Sequence, residues 1–237
     1  MLLSLFASLA IAFGLTQIAT FATTIYLHRC ATHRALVLHP SVAWLFRFSL
    51  WLTTGISTRE WVAVHRKHHA FTDESGDPHS PRLHGFWAVQ LGNVFFYARE
   101  ARNRQTIEKY ARDIKHDRWD RWLFNRGVLG PIAGTAALCS IIGLGWGLFA
   151  AGVHAVTYVF FLSSSINGLC HSRGYRTFEN TATNIRWLAL ITGGEGLHNN
   201  HHGRPKFSVR NGEIDPSWPI IRFLTRLRLA NPGPTID

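Results

Sequence analysis

The stretch from Met1 to Leu27 contains no charged side chain, and this feature constrains the fold more than any other. At a helical rise of about 1.5 Å per residue, it is long enough to cross a hydrocarbon layer about 30 Å thick. It has no basic start and no clear cleavage site, so we interpret it as a retained membrane helix and not as a signal peptide. It runs directly into His28.

Other stretches are also apolar. Val128 to Ala151 and Val153 to Leu169 are separated by a short glycine-containing break, and we interpret them as a helical hairpin that provides two more spans. Leu36 to Thr58 is mostly apolar but contains Arg47, which would be costly at a bilayer centre. Phe86 to Ala98 predicts a helix that lies on the membrane surface or dips into it.

The composition agrees with a lipid-facing protein. Hydrophobic residues make up 46% of the chain, and charged residues make up 16%, against about a quarter in soluble proteins. The formal charge of +11 comes from residues flanking the apolar stretches, which indicates cytoplasmic loops obeying the positive-inside rule. No nucleic-acid motif is present, so we expect no nucleic-acid partner. The three cysteines form no CxxC pair, which indicates neither a thiolate zinc site nor a disulfide framework.

Nine of the 14 histidines form a pattern. The strings HRCATH, HRKHH and HNNHH are three histidine boxes, and a further histidine ends the string NGLCH. Together they contain His28, His33, His65, His68, His69, His171, His198, His201 and His202. Chance is a poor explanation for two HxxHH boxes and one HxxxxH box in one chain, so the pattern predicts a metal centre.

Helical geometry indicates how the boxes would share metals. Residues four apart lie on one helix face, so His65 and His69 can bind the same ion. His68 is rotated about 100° from His69 and is able to reach a second ion. The third box repeats this arrangement with His198, His201 and His202. Two facing HxxHH boxes therefore predict two adjacent metal sites.

The donor set narrows the choice of metal. Imidazoles suit zinc, copper, iron and nickel, but a structural zinc needs only four ligands. So many histidines at a membrane surface favour oxygen chemistry with two irons. We predict surface or capping roles for the isolated histidines His39, His84, His116 and His154. His79, in the string DPHSP, is expected to support the site or the local structure.

The boxes also constrain topology. If the first two boxes bind one centre, they must lie on the same face of the membrane. A single crossing by the stretch Leu36 to Thr58 between them would separate them, so we predict that this stretch lies in the interface or re-enters. The expected fold is an all-α integral membrane protein with three to four transmembrane helices and a cytoplasmic helical cap holding the metals. Residues 1–237 are expected to form one domain, with the N-terminus outside.

Longer strings carry a family resemblance. HRCATHRA, VHRKHHAFTDESGDPHSP and GEGLHNNHHGRP resemble the three boxes of the membrane fatty-acid desaturase family, in its acyl-CoA (stearoyl-CoA-like) branch. NGLCHSRGYR resembles an additional Asn-and-His motif of that branch. The better-known members have a full membrane hairpin before the first box, whereas one span precedes it here. Either the protein has three spans, or an upstream start has been missed.

The resemblance implies a ligand set. One iron would be held by His28, His33, His65, His69 and His201, and the other by His68, His171, His198 and His202. Asn167 would hold a water ligand of the second iron. The nearby carboxylates Asp73, Asp77 and Glu195 are expected either to orient ring nitrogens or to serve as ordinary loop charges and caps.

The resemblance also implies an activity, the desaturation of a fatty-acyl chain with dioxygen and two electrons. The acyl carrier is coenzyme A, a carrier protein or a phospholipid, and acyl-CoA is the expected substrate. No HPGG string of a fused cytochrome occurs, so we expect a separate electron donor of ferredoxin, rubredoxin or cytochrome b5 type. We expect a bacterial inner-membrane location with the metals on the cytoplasmic side. Candidate residues to line an acyl tunnel are Trp51, Trp61, Trp87 and Trp187, although a core or interfacial position is the expected role of each.

Two other functions compete with desaturation. A hydroxylase could use the same histidine pattern to insert oxygen without forming a double bond. A metal transporter or metal-storing membrane protein is more remote. It would use fewer ligands and place them inside the spans, whereas the histidines here cluster at the ends of the spans and in the loops between them. A zinc metalloprotease is disfavoured because the chain contains no HExxH motif.

Overall fold

The computed structural model describes residues 2–206 and 213–232. The helices are α1 Leu2–Ala22, α2 Pro40–Thr54, α3 Thr58–Ala70, α4 Pro81–His84, α5 Phe86–Glu100, α6 Arg104–Tyr110, α7 Leu129–Ile142, α8 Leu144–Val156, α9 Ser164–Asn167, α10 Arg186–Ile191, α11 His198–Gly203 and α12 Ser217–Arg226. Segments of π-helix occupy Thr23–Thr32, Asp120–Phe124 and Thr157–Ser163, and a 3-10 turn occupies Leu169–His171. Strands β1 Leu36–Leu38 and β2 Ala230–Pro232 pair antiparallel. The chain is thus mostly helical, as predicted, with one small sheet added.

Two helical segments within the described residues are long and apolar enough to cross a membrane. These are Leu2–Thr32, which joins α1 to the first π-helix, and Leu144–His171, which contains α8 and α9. A shorter apolar helix, α7, precedes the second segment. The structure therefore offers two long spans and one short apolar helix where the sequence predicted three spans.

The predicted boundary between the last two spans is wrong. The chain reverses at Gly143, between α7 and α8, and Gly152 of the predicted break lies inside α8. Gly143 has a φ of +87°, a backbone conformation that residues with a Cβ rarely adopt. Gly152 carries no such requirement, because a glycine inside a helix is tolerated at a modest cost in stability.

The stretch Leu36–Thr58 folds into β1 and α2 and reaches the first residue of α3. α2 packs against both α1 and α7. Its Arg47 forms ion pairs of 2.7 Å with both Asp117 and Asp120, in the polar region between α6 and α7. These contacts fit the prediction of a stretch that does not cross the membrane, and Arg47 is paired with carboxylates.

The remaining helices surround the end of Leu2–Thr32. The principal core cluster joins this segment to α2, the β-strands and α12, through side chains such as Ile25, Leu50 and Ile221. α3 packs against the first π-helix and α6. This packing places box two of the histidines, on α3, beside box one at the end of Leu2–Thr32.

Candidate metal centre

Box one lies on a π-helix, and this local geometry matters for its spacing. Five residues on an α-helix correspond to about 500°, so His28 and His33 would point about 140° apart. In the π-helix the backbone N–H of His33 donates to the carbonyl of His28 at 3.1 Å, and the two ring centroids are 4.8 Å apart. The π-helix therefore brings both rings of the HxxxxH box to one place.

The first group of histidines contains His28, His33, His65, His69 and His201. Their Nε2 atoms are close neighbours: 3.0 Å for His28–His201, 3.2 Å for His33–His65, 3.1 Å for His65–His69 and 2.9 Å for His69–His201. Boxes one, two and three all contribute to this group, and the members come from opposite ends of the chain.

The second group contains His68, His171, His198 and His202. Their Nε2 atoms lie 3.3 Å apart for His68–His202, 3.0 Å for His171–His198 and 3.2 Å for His198–His202. The two groups contain the same histidines that the family resemblance divides between two irons. That these side chains ligate metal stays a prediction, which the spacing below supports.

Three carboxylates lie against the far nitrogens of these rings. The Nδ1 atom is 2.8 Å from Glu195 in His28, 2.9 Å from Asp77 in His68 and 2.9 Å from Asp73 in His171. A carboxylate only accepts, so each of these Nδ1 atoms carries the ring proton and donates. In a neutral ring the Nε2 atom is then left with a lone pair. These are the three carboxylates that were named from the sequence as candidates to orient ring nitrogens.

The spacing of the Nε2 atoms fits bound cations. The Nε2 lone pairs of His28 and His171 each face the Nε2 atom of another imidazole about 3 Å away, where a bound cation would satisfy both nitrogens. The nitrogens of an octahedral ion with metal–nitrogen bonds of about 2.1 Å would lie about 3.0 Å apart at neighbouring positions. The rings of His28 and His201, and likewise of His171 and His198, show this separation. The donor atoms present therefore suit metal ions of the imidazole-binding class.

The electrostatics keep these rings in the form that can bind metal. Burial, followed by repulsion from neighbouring imidazoles, holds the pKa of His65 and His69 well below the ordinary value of 6.5. The same causes lower the pKa of His33 to about 2. Burial alone would raise the pKa of Asp77, but the hydrogen bond from His68 lowers it to about 2. Neutral imidazoles are thus supported by ionised carboxylates.

The helix of box three is held by an asparagine inside the box. Asn199 is fully buried, and its side-chain oxygen accepts from the backbone N–H groups of Thr177 and Phe178. Its amide nitrogen donates to Asn180 and to the carbonyl of Ala182. Asn199 therefore fixes box three to the loop of residues 177–182.

A cavity of about 500 Å³ opens beside the histidines. Its lining near the histidine groups includes His28, His65, Glu195 and Asn167. The rest is mainly apolar and extends along Leu144–His171 with residues such as Val159, Leu162 and Ile166. An apolar cavity that ends at a cluster of histidines is a suitable shape for a hydrocarbon chain.

Asn167 lies in this cavity and is held by a residue that sequence reasoning missed. Its Nδ2 donates to Oδ1 of Asn93 at 3.0 Å, and Nδ2 of Asn93 lies 3.3 Å from the hydroxyl of Ser163. Asn93 is 3% exposed and stands on α5 among apolar neighbours. A lone asparagine in an apolar helix was the only available signal.

Of the four candidate tryptophans, one lines the cavity, and the other three have the core or surface positions that were the expected alternative. Trp61 lines the cavity and stacks on the ring of His65, with centroids 4.7 Å apart. Trp51 does not line it, and its Nε1 donates to the carbonyl of Arg126. Trp87 and Trp187 are exposed, which suits contact with lipid. Aromatic character alone does not distinguish a cavity wall from an outer surface.

The isolated histidines divide into two kinds. His39 caps α2, and both His84 and His116 are exposed, as predicted. His154 is buried and lines the cavity, so its predicted surface role is wrong. His79 is buried, and its ring centroid lies 4.7 Å from that of His68. Neither ring nitrogen of His79 has a hydrogen-bond partner among the described residues.

Comparison with known proteins decides the family. Residues 3–212 match the family model described as fatty acid desaturase. The chain belongs to the fatty acid desaturase family. Its relatives include the sn-1 stearoyl-lipid 9-desaturase of Synechocystis, which is 33% identical over 87% of this chain and 65% of its own length.

The names of other relatives of this chain specify different substrates. Delta-9 acyl-lipid desaturase 2 of Arabidopsis thaliana is 32% identical over 94% of this chain and 74% of its own length. Icosanoyl-CoA 5-desaturase of Limnanthes douglasii is 33% identical over 87% of this chain and 59% of its own length. This chain therefore spans roughly three fifths to three quarters of these proteins. The predicted family is confirmed, and the names cover both acyl-lipid and acyl-CoA desaturases.

Proposed function

We propose that this protein is a fatty-acyl desaturase that uses two histidine-bound irons, dioxygen and two electrons to place a double bond in an acyl chain. The observation that carries the proposal is an apolar cavity lined at one end by His28 and His65 of the first histidine group, which adjoins the second group. The reaction balances as removal of two hydrogens from adjacent methylenes, with dioxygen, two electrons and two protons giving two water molecules.

The irons would be held by the two groups of histidines described above. When bound, they would supply the activation of dioxygen and the removal of hydrogen from an unreactive methylene. The protein side chains orient this centre. Glu195, Asp77 and Asp73 fix the proton on Nδ1 of their partner histidines and so direct Nε2 toward the metal.

The cavity walls would position the substrate. An apolar lining excludes water and holds a hydrocarbon chain by burial of its surface. Asn167, held by Asn93, lines the cavity four residues before His171 and would hold a water ligand of the second iron. The register of the acyl chain against His28 and His65 would then select the carbon pair that reacts.

The wider setting is part of the same proposal. Two long apolar helices and the family support a membrane protein, and we place it in a bacterial inner membrane with the metals on the cytoplasmic side. The basic loops would face the cytoplasm under the positive-inside rule. The acyl carrier would be coenzyme A or a phosphate-bearing lipid. Electrons would come from a separate ferredoxin, rubredoxin or cytochrome b5-type donor.

The test is a fatty-acid profile of cells that express the protein. Wild type is compared with His65→Ala/His198→Ala, which removes one histidine from each group. The matched control is His84→Ala/His116→Ala, which changes two exposed histidines. We expect a new monounsaturated acid with wild type and control, and none with the double variant of the two groups.

Other results would change the assignment. A hydroxy acid in place of an unsaturated acid would indicate a hydroxylase. Iron is also counted in the purified proteins, and we expect two per chain in wild type and control. Purified wild type that binds no iron would overturn the di-iron proposal.

A further inference from the structure

His154 is an ionisable residue inside the apolar segment Leu144–His171. Its side chain is buried, with 6% of the residue exposed. Within that segment the other histidine is His171, which belongs to the second histidine group. Polar side chains inside membrane segments are costly, so one that is kept away from the metal centre calls for a specific role.

Both ring nitrogens of His154 are engaged by neighbouring helices. Nε2 lies 3.0 Å from the backbone carbonyl of Thr53 at the end of α2, and Nδ1 lies 3.0 Å from the hydroxyl of Thr16 on α1. A carbonyl only accepts, so Nε2 carries the proton of the neutral ring, and Nδ1 is an acceptor facing the Thr16 hydroxyl, which also lies 2.8 Å from the carbonyl of Ala12. The ring is therefore held in one position by two helices other than its own.

The ring also stands at one end of the cavity. On its own segment, the residues that line the cavity run from His154 to Asn167. Thirteen residues at a rise of about 1.5 Å correspond to roughly 20 Å, which is the length of the cavity along this segment. Asn167 is at the end near the histidine groups, so His154 is at the far end.

Contacts of the segment Leu2–Thr32 also indicate that His154 lies at the end of the cavity far from the histidine groups. Thr16, which holds the His154 ring, precedes the cluster residue His28 by 12 residues, or about 18 Å of helix. Thr20 and Thr23 lie between them in sequence and line the cavity. The cavity therefore runs beside both long segments from the histidine groups to His154, where Thr53 also contributes to its wall.

We propose that His154 determines the length of the acyl chain that the cavity accepts, because its anchored ring is the stop against which the methyl end rests. This inference rests on the proposed function for the nature of the ligand. A side chain that could rotate away would be a poor stop, whereas this ring is tied to Thr16 and Thr53. The competing explanation is that His154 only joins α8 to α1 and α2 through hydrogen bonds and does not limit chain length.

Two substitutions of opposite size separate these roles. His154→Ala shortens the stop and should shift products toward longer chains, and His154→Phe enlarges the ring and should shift them toward shorter chains. A difference of one or two methylenes in an apolar pocket is worth about tenfold in selectivity, so the ratio of long to short products should move by about that factor in each direction. A purely structural role would move both variants the same way, through lost stability.

A third variant tests the anchor. Thr16→Val keeps the volume of the side chain and removes the hydroxyl that holds Nδ1, and Thr16 is not part of the cavity lining. It should broaden the range of chain lengths without a shift of its centre. Leu148→Ala, at an exposed position of α8, is the control and should keep the wild-type range.

A binding measurement makes the test independent of turnover. The thermal midpoint of each purified protein is measured with saturated fatty acids of increasing length, since a ligand that binds the folded state raises the midpoint. We expect the best-stabilising length to increase in His154→Ala and decrease in His154→Phe. An unchanged preferred length in both variants would overturn the role of His154. Failure of wild type to desaturate, with these shifts present, would affect the proposed function alone.

Discussion

At the scale of single residues, the decisive feature is which nitrogen of each imidazole carries the proton. Glu195, Asp77 and Asp73 each accept from Nδ1 of a different histidine, which leaves the lone pair on Nε2 available to a metal ion. Burial keeps the surrounding rings neutral. His198 differs, because its Nδ1 has no partner among the described residues and its orientation depends on contacts of Nε2 with His171 and His202.

The first residue-scale prediction concerns Asp77. Asp77→Asn keeps the shape of the side chain but removes the negative charge that holds the His68 proton on Nδ1. We expect a loss of about 10–100-fold in metal affinity at the second group, measured by competition with a chelator. Asp117→Asn, whose carboxylate pairs with Arg47 away from the histidines, is the control. Equal affinity in the two variants would contradict the supporting role of Asp77.

The second residue-scale prediction concerns pH. Burial holds the pKa of His33 and His65 below the value in the unfolded chain, which is about 6.5. Below that pH the unfolded state binds more protons than the folded state, so the unfolding free energy of the metal-free protein falls as pH decreases. The thermal midpoint should drop between about pH 7.5 and about pH 5.5. A midpoint that rises on acidification would contradict this account of the rings.

At the scale of elements, close packing between α2 and α7 positions the wall of the cavity. A Cβ added at Gly130 on α7 would overlap the carbonyl oxygen of Trp51 on α2, and one at Gly134 would lie 2.6 Å from that of Leu52. The backbones touch because these positions carry no side chain. This contact fixes the end of α2, from which Thr53 reaches His154.

The element-scale prediction follows from this contact. Gly130→Ala forces α2 and α7 apart, and overpacking of this kind costs about 1–3 kcal/mol or more of stability. Gly152→Ala on α8 is the matched control, because a Cβ there meets no atom of the described residues within 4 Å. It should leave stability unchanged or raise it by about 0.5–1 kcal/mol through helix propensity. Thermal unfolding of the purified proteins measures both, and similar midpoints would contradict the close contact.

At the scale of the whole molecule, an apolar exterior and a polar interior are combined. Large side chains such as Phe13 and Phe161 are 61% and 62% exposed on the two long segments. The two histidine groups, Asn93, Asn199 and the carboxylates of Asp73 and Asp77 lie inside, where one end of these segments meets α3 and α11. This distribution is the reverse of that in a soluble protein and fits a lipid-facing surface.

The whole-molecule prediction tests that surface. Phe13→Arg places a charge near the middle of Leu2–Thr32, at a cost of about 2.5–3.5 kcal/mol for insertion of the helix. We expect less protein in the washed membrane fraction. Trp122→Arg is the control, because Trp122 is 76% exposed but lies in the polar region before α7. Equal membrane recovery would argue against a span at this position.

The sequence by itself determined the donor types, their pairing and the family. The spacing of four in HRKHH and HNNHH follows from the helical repeat, which is local, and so the two-site arrangement could be predicted from His65, His69, His198 and His202. The uncharged length of Met1–Leu27 likewise predicts an apolar helix from its own residues. Asp73, Asp77 and Glu195 could be named as candidates, because they lie close to the boxes in the chain.

Only the tertiary structure decided the features that depend on distant contacts. The spacing of five in HRCATH fits a shared site because the segment is a π-helix, and Gly143 rather than Gly152 reverses the chain. The cavity is a space between helices, so no single stretch of sequence predicts that Trp61 and Asn93 line it while Trp51 does not. His154 appears isolated in the sequence, and its partners Thr16 and Thr53 lie more than 100 positions away. Local spacing determines which face a side chain occupies, whereas packing determines what that face meets.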